Sequence, residues 1–178
     1  MAYFFPPISE IPESRHAAVG AWFLGPRAEN FSYLEQIFKV ILEKQKDARQ
    51  NLFPDDQAFI SAAMQGSPLF QAQIERLESE LSAITEQLNL HSVPFWSPRY
   101  NAHMSMENSM PAVIGYLTGL LHNQNNVATE ASPFTTVLEN YVGQDLCKML
   151  GYDTNPQNVA RGWGHITSVS LLPSANLS

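Results

Sequence analysis

The sequence predicts a mainly α-helical chain. Several segments place apolar residues at spacings of three and four, Ser or Asn with Pro punctuates their starts, and no run alternates convincingly with period two. Residues 1–16 read as an extended arm, since Pro6, Pro7 and Pro12 interrupt any periodicity. Ala17 to Leu24 fits a short helix ending at Gly25-Pro26. Leu34, Ile37, Phe38, Ile41 and Leu42 then recur at helical spacing, with Asn30 or Ser32 as caps. Pro54-Asp55-Asp56 breaks this helix and opens a shorter one through Phe59, Ile60 and Met64.

Gly66-Ser67-Pro68 marks the next turn. Beyond it Ile74, Leu77, Leu81, Ile84 and Leu88 form a heptad-like seam, short enough to predict packing against a sibling helix rather than a free coiled coil. Val93 to Tyr100 is irregular and rich in proline and aromatics. Pro111 suits a helix first turn, with Val113, Ile114, Leu117, Leu120 and Leu121 along its face. Left without a larger partner domain, a face of that kind predicts self-association. Ser132-Pro133 pairs an N-cap with an N1 proline, and the helix it opens runs through Val137, Leu138, Tyr141, Val142, Leu146, Met149 and Leu150 to stop at Gly151.

The chain has 178 residues, room for one ordinary domain, and 44% hydrophobic against 15% charged residues place it among globular chains. A net charge of −7 with ten scattered Lys and Arg argues against nucleic acid. No stretch approaches a membrane span, and the start lacks the cationic region of a signal peptide. The single cysteine, Cys147, lies on the apolar side of its helix as a core residue and fits a reducing compartment, so the cytoplasm is expected.

The five histidines, 16, 91, 103, 122 and 165, find no partner ligand at helical metal-site spacing, so no metal is expected. No Gly-x-Ser-x-Gly elbow is present. Glu75, Glu78, Glu80 and Glu86 read as a solvated helix face, and Asn123 to Asn126 as a polar loop. Gly162-Trp163-Gly164-His165-Ile166-Thr167-Ser168 is a Gly-flanked, hydroxyl-rich turn of the kind that begins a phosphate cradle.

Several segments, in this order, resemble the N-terminal region of the group II pyridoxal-phosphate-dependent decarboxylases, which include the tyrosine, aromatic-amino-acid and glutamate decarboxylases. They are Ala21 to Asn30, Pro94 to Tyr100 with His103-Met104, Asn125 to Val127 with Glu130 to Pro133, Thr136 to Glu139, Met149 to Gly151, and Gly164 to Ser168. The resemblance implies the helical N-terminal part, residues 17–168, of a fold-type-I homodimeric enzyme, lacking most of the large α/β domain. It assigns Thr167 and Ser168 to the cofactor phosphate. It assigns Tyr100 and His103 to a loop beside the amino-acid substrate, and Asn126 with Val127 to a region reaching the neighbouring subunit's site.

In the family the segment continues Gly-Gly-Thr and opens a helix. Here Val169 to Ser178 follows, without glycine and with Pro173 against an early helix. Residues 169–178 are therefore expected to be a non-family, disordered tail. Ordering ten residues takes on the order of 10–20 kcal/mol of backbone entropy. Burying its three leucines returns roughly 5–9 kcal/mol. The family's Schiff-base lysine and the partner of the pyridine nitrogen have no counterpart in the chain. The expected function is thus pyridoxal-phosphate-dependent decarboxylation of an L-amino acid by resemblance, with weak or absent cofactor binding and no activity in this truncated chain alone. The alternative is a non-catalytic helical binding module that pairs with a full-length relative.

Overall fold

The computed structural model describes residues 15–102 and 104–166. Among the described residues six helices follow one another: α1 (Arg15–Gly20), α2 (Phe31–Asn51), α3 (Ala62–Gln65), α4 (Pro68–His91), α5 (Met110–His122) and α6 (Pro133–Met149). The mainly α expectation holds. Extended pairing among the described residues amounts to an isolated antiparallel bridge between Phe23 and Ser109. No described helix is long and apolar enough to cross a membrane. The chain groups into two compact units, Met1–Thr118 and Gly119–Ser178. The tail 169–178 lies outside the described residues.

In the first unit α1 ends at Gly20, earlier than the expected Leu24. The chain leaves it through tight turns closed by the Trp22 N–H on Val19 O and the Phe23 N–H on Gly20 O. Asn30 occupies the N-cap position of α2 as expected, yet its side chain makes no cap bond. Its amide instead donates to Ala21 O at 2.9 Å and Phe23 O at 2.6 Å, tying the preceding loop to the helix start. The short helix after Pro54 shrinks to α3, because only Ser61 supplies a cap, its hydroxyl accepting from the Met64 N–H. Phe59 and Ile60 stay outside it.

Helix α4 begins as its sequence dictates. Ser67 Oγ accepts from the Phe70 N–H and donates to Met64 O at 2.8 Å, and Pro68 fills the first turn, where no N–H is needed. The expected sibling helix is not found among the described residues. The short α3 at its N-terminal end is the helix that packs on it. Ile74, Leu77, Leu81, Ile84 and Leu88 remain 44–57% exposed. Val113, Leu117 and Leu121 of α5, the face expected to lie open, are instead half-buried, and Met110 at the start of the helix is buried. A continuous exposed apolar face runs along α4.

The second unit is built around α6. Pro133 stands at its first turn and Ser132 at the N-cap position, but the Ser132 hydroxyl is fully buried and donates to Gln124 Oε1 at 2.9 Å rather than capping the helix. The other end closes on a left-handed Gly151 at φ 83°, with the Tyr152 N–H on Cys147 O and the Gly151 N–H on Lys148 O. This is a Schellman closure, and only a residue without Cβ adopts that φ at no steric cost. Cys147 is 5% exposed, the core residue its helix face predicted.

Candidate functional site

The second unit brings together polar side chains from three parts of the chain. Asn126, in the loop before α6, donates from Nδ2 to Glu139 Oε2 at 2.6 Å and accepts from Thr135 Oγ1 at 2.5 Å. The other oxygen of Glu139, Oε1, meets His165 Nδ1 in a contact that becomes an ion pair when the imidazole is protonated. The His165 ring lies parallel to the Trp163 indole, centroids 5.7 Å apart and planes 7° apart. One carboxylate on α6 therefore grips both the loop before the helix and the segment after it. The Thr136 hydroxyl, from the same helical turn, is buried without a hydrogen-bond partner.

The approach of segment 162–166 to α6 is fixed by glycine. A Cβ on Gly143 would collide with the Gly164 carbonyl, and one on Gly164 would meet the Gly143 backbone, so the two segments touch at a distance that excludes any side chain. A polar cleft of about 310 Å³ opens beside this contact, lined by Asn140, Gln144, Thr154, Arg161 and Trp163. Arg161 Nη1 donates to Pro156 O at 2.7 Å. In the adjoining turn the Asn158 side chain and then the Asn155 N–H hold the Asp153 carboxyl below its ordinary range.

Of the described residues assigned from sequence, Asn126 falls within this cluster, and both ends of its amide are engaged internally. Tyr100 belongs to the first unit. It is half-buried, with its ring edge-on to Phe95 at 5.0 Å and its N–H on Ser97 O at 2.9 Å. His103, Thr167 and Ser168 lie outside the described residues. Sequence reasoning missed Glu139, Trp163 and His165 as a connected group. Glu139 and His165 sat in segments quoted for their resemblance, but pairing across 26 positions leaves no local signal. Among the described residues no three His, Cys, Asp or Glu side chains are grouped to hold a metal ion.

No family model matches the chain. Proteins named L-tyrosine decarboxylase do. One from Levilactobacillus brevis is 35% identical over 160 residues, 89% of this chain. Those from Enterococcus faecalis and Enterococcus faecium are each 32% identical, over 89% and 84% of the chain. The resemblance to the group II decarboxylases stands. The chain spans about a quarter of the length of these tyrosine decarboxylases, 24% in each case. A helical architecture almost without strand is consistent with the helical N-terminal region of such an enzyme.

That relationship implies pyridoxal phosphate, whose covalent anchor is a lysine. All four lysines of the chain, Lys39, Lys44, Lys46 and Lys148, are described and exposed, and Lys148 pairs with Asp145 at 3.3 Å. An amine that forms a Schiff base at neutral pH is commonly held in desolvated surroundings. All four lysines stand in solvent. The residues present do not fit the covalent half of the cofactor site.

Proposed function

We propose that these residues form the N-terminal helical region of a pyridoxal-phosphate-dependent L-amino-acid decarboxylase, a homodimer working in the cytoplasm. The observation that carries the reading is 35% identity to an L-tyrosine decarboxylase across 160 residues of the chain. In this reading Thr167 and Ser168 hold the cofactor phosphate, and Tyr100, His103 and Asn126 serve the substrate side. The Glu139 cluster holds His165, which Thr167 and Ser168 follow in sequence by two and three residues. L-tyrosine is the first substrate to test. The cofactor supplies the electron sink for decarboxylation, and the four exposed lysines leave the 178 residues alone without its covalent anchor.

A graft tests the proposal. Residues 17–168 replace the matching quarter of the Levilactobacillus brevis L-tyrosine decarboxylase, and carbon dioxide release from L-tyrosine is followed. The graft is expected to release carbon dioxide above a denatured control, while the 178-residue chain with added cofactor does not. A folded graft that binds cofactor yet stays inactive would count against the reading, as would release by the chain alone.

A further inference from the structure

The polar cleft of the second unit carries an inference that goes beyond the decarboxylase reading and does not rest on it. Arg161 lines this cleft with no carboxylate partner among the described residues. Its Nη1 donates to Pro156 O at 2.7 Å, which pins the guanidinium and leaves the Nε and Nη2 edge as donors. Three acids of the unit are already engaged: Asp153 by Asn158 and the Asn155 N–H, Asp145 by Lys148, and Glu139 by Asn126 and His165. The rest of the lining is neutral. Asn140 and Gln144, one turn apart on α6, share a helix face, and Thr154 and the Trp163 indole stand with them around the cleft. None of these four side chains spends a hydrogen bond on another described residue. The Gly143–Gly164 approach sets α6 against the segment that carries Trp163. The Gly162 N–H on Asp153 O at 2.6 Å closes the loop that carries Arg161. Backbone contacts therefore build the cleft before any ligand arrives.

We propose that this cleft binds a small monocarboxylate with a planar apolar body, its carboxylate on Arg161. The Nε and Nη2 edge of the guanidinium matches a carboxylate with two parallel N–H···O bonds. Asn140 and Gln144 add neutral amide donors, and the Trp163 indole and Pro156 ring supply an apolar wall for the body. Charge selects against phosphate. Arg161 is the one cation in the lining, and the ionised Asp153 in the loop that Gly162 closes opposes a second negative charge. The volume of about 310 Å³ has room for a ligand of benzoate's size.

The test titrates benzoate into the intact, isotope-labelled chain at neutral pH and follows it by NMR. Saturable shifts are expected at the Trp163 indole N–H, the Arg161 Nε–H and the side-chain amides of Asn140 and Gln144. The expected Kd is on the order of 1–10 mM. Benzamide, which has the shape without the charge, and inorganic phosphate are each expected to bind about tenfold more weakly or worse. Arg161→Lys keeps the charge but loses the fork, and is expected to weaken benzoate by about fivefold or more. Because Arg161 also holds Pro156, a second variant leaves the loop untouched: Gln144→Ala, on an exposed position of α6, is expected to cost about threefold. The absence of saturable shifts, benzamide or phosphate binding as tightly as benzoate, or unchanged benzoate affinity in both variants overturns the proposal.

Discussion

Helices α4 and α6 hold their places in the chain by opposite means. Helix α4, Pro68–His91, has the more regular apolar pattern, and its residues beyond Phe70 are exposed throughout. What fixes it is local: the Ser67 cap, Pro68 and the i,i+4 pair of Arg76 with Glu80. Helix α6, Pro133–Met149, is shorter and carries a more mixed face, yet it buries Gly143 and Cys147. It is tied to both flanking segments by Ser132, Glu139 and the Gly143–Gly164 approach. Apolar periodicity therefore marks where a helix could pack, whereas small and polar residues mark where this chain does pack.

The contrast can be broken by mutation. The largest effect is expected at Gly143. Gly143→Ala should destabilise the second unit by about 1–3 kcal/mol, because the new Cβ meets Gly164 backbone rather than a movable side chain. Labelling of the buried Cys147 thiol against urea reads that loss directly. Leu77→Ala on α4, at concentrations where the chain is monomeric, should shift helix stability by less than about 0.5 kcal/mol, against the roughly 2–5 kcal/mol of a core leucine. Equal losses at the two sites would abolish the distinction.

Next is Ser132→Ala, expected to destabilise by about 1 kcal/mol as Gln124 loses its buried donor, with the same thiol readout. Glu139→Ala should follow, at about 0.5–1 kcal/mol, since Glu139 is 25% and His165 44% exposed. Its specific mark is faster amide exchange in residues 163–166 and altered Trp163 fluorescence, and neither change should occur in the α4 variants.

The smallest effect concerns pH. Asp153 is held below its ordinary range, first by Asn158 and then by the Asn155 N–H. The folded state thus favours the carboxylate. Its contribution is present above the unfolded value and fades as pH falls through the folded one. Carboxyl NMR should show Asp153 titrating below an unstructured aspartate, and Asn158→Ala should raise it. An Asp153 that titrates as in a free peptide would remove this turn from the account.

Most helices were legible because caps and periods are local. Ser67-Pro68, Ser132-Pro133 and Gly151 marked ends that the structure keeps, within a residue or two. Two cap assignments had the right position and the wrong chemistry. Asn30 and Ser132 spend their side chains on Phe23 O and Gln124, contacts that depend on how the chain folds back rather than on the next turn. The exposed seam of α4 was illegible for a related reason: a 3.5-residue period states that a face wants a partner, not that one is present. The Glu139–His165 contact joins residues 26 positions apart, and the Gly143–Gly164 approach joins two glycines whose neighbours carry no shared pattern.

The proposed function makes these 178 residues helical framework of a decarboxylase and places no covalent anchor for the cofactor among their lysines. The direct measurement incubates the purified chain with pyridoxal phosphate, reduces with borohydride and maps adducts by peptide mass spectrometry. The account predicts no stoichiometric phosphopyridoxyl group on Lys39, Lys44, Lys46 or Lys148. A stoichiometric adduct on any one of them, with carbon dioxide released from L-tyrosine before reduction, would contradict it.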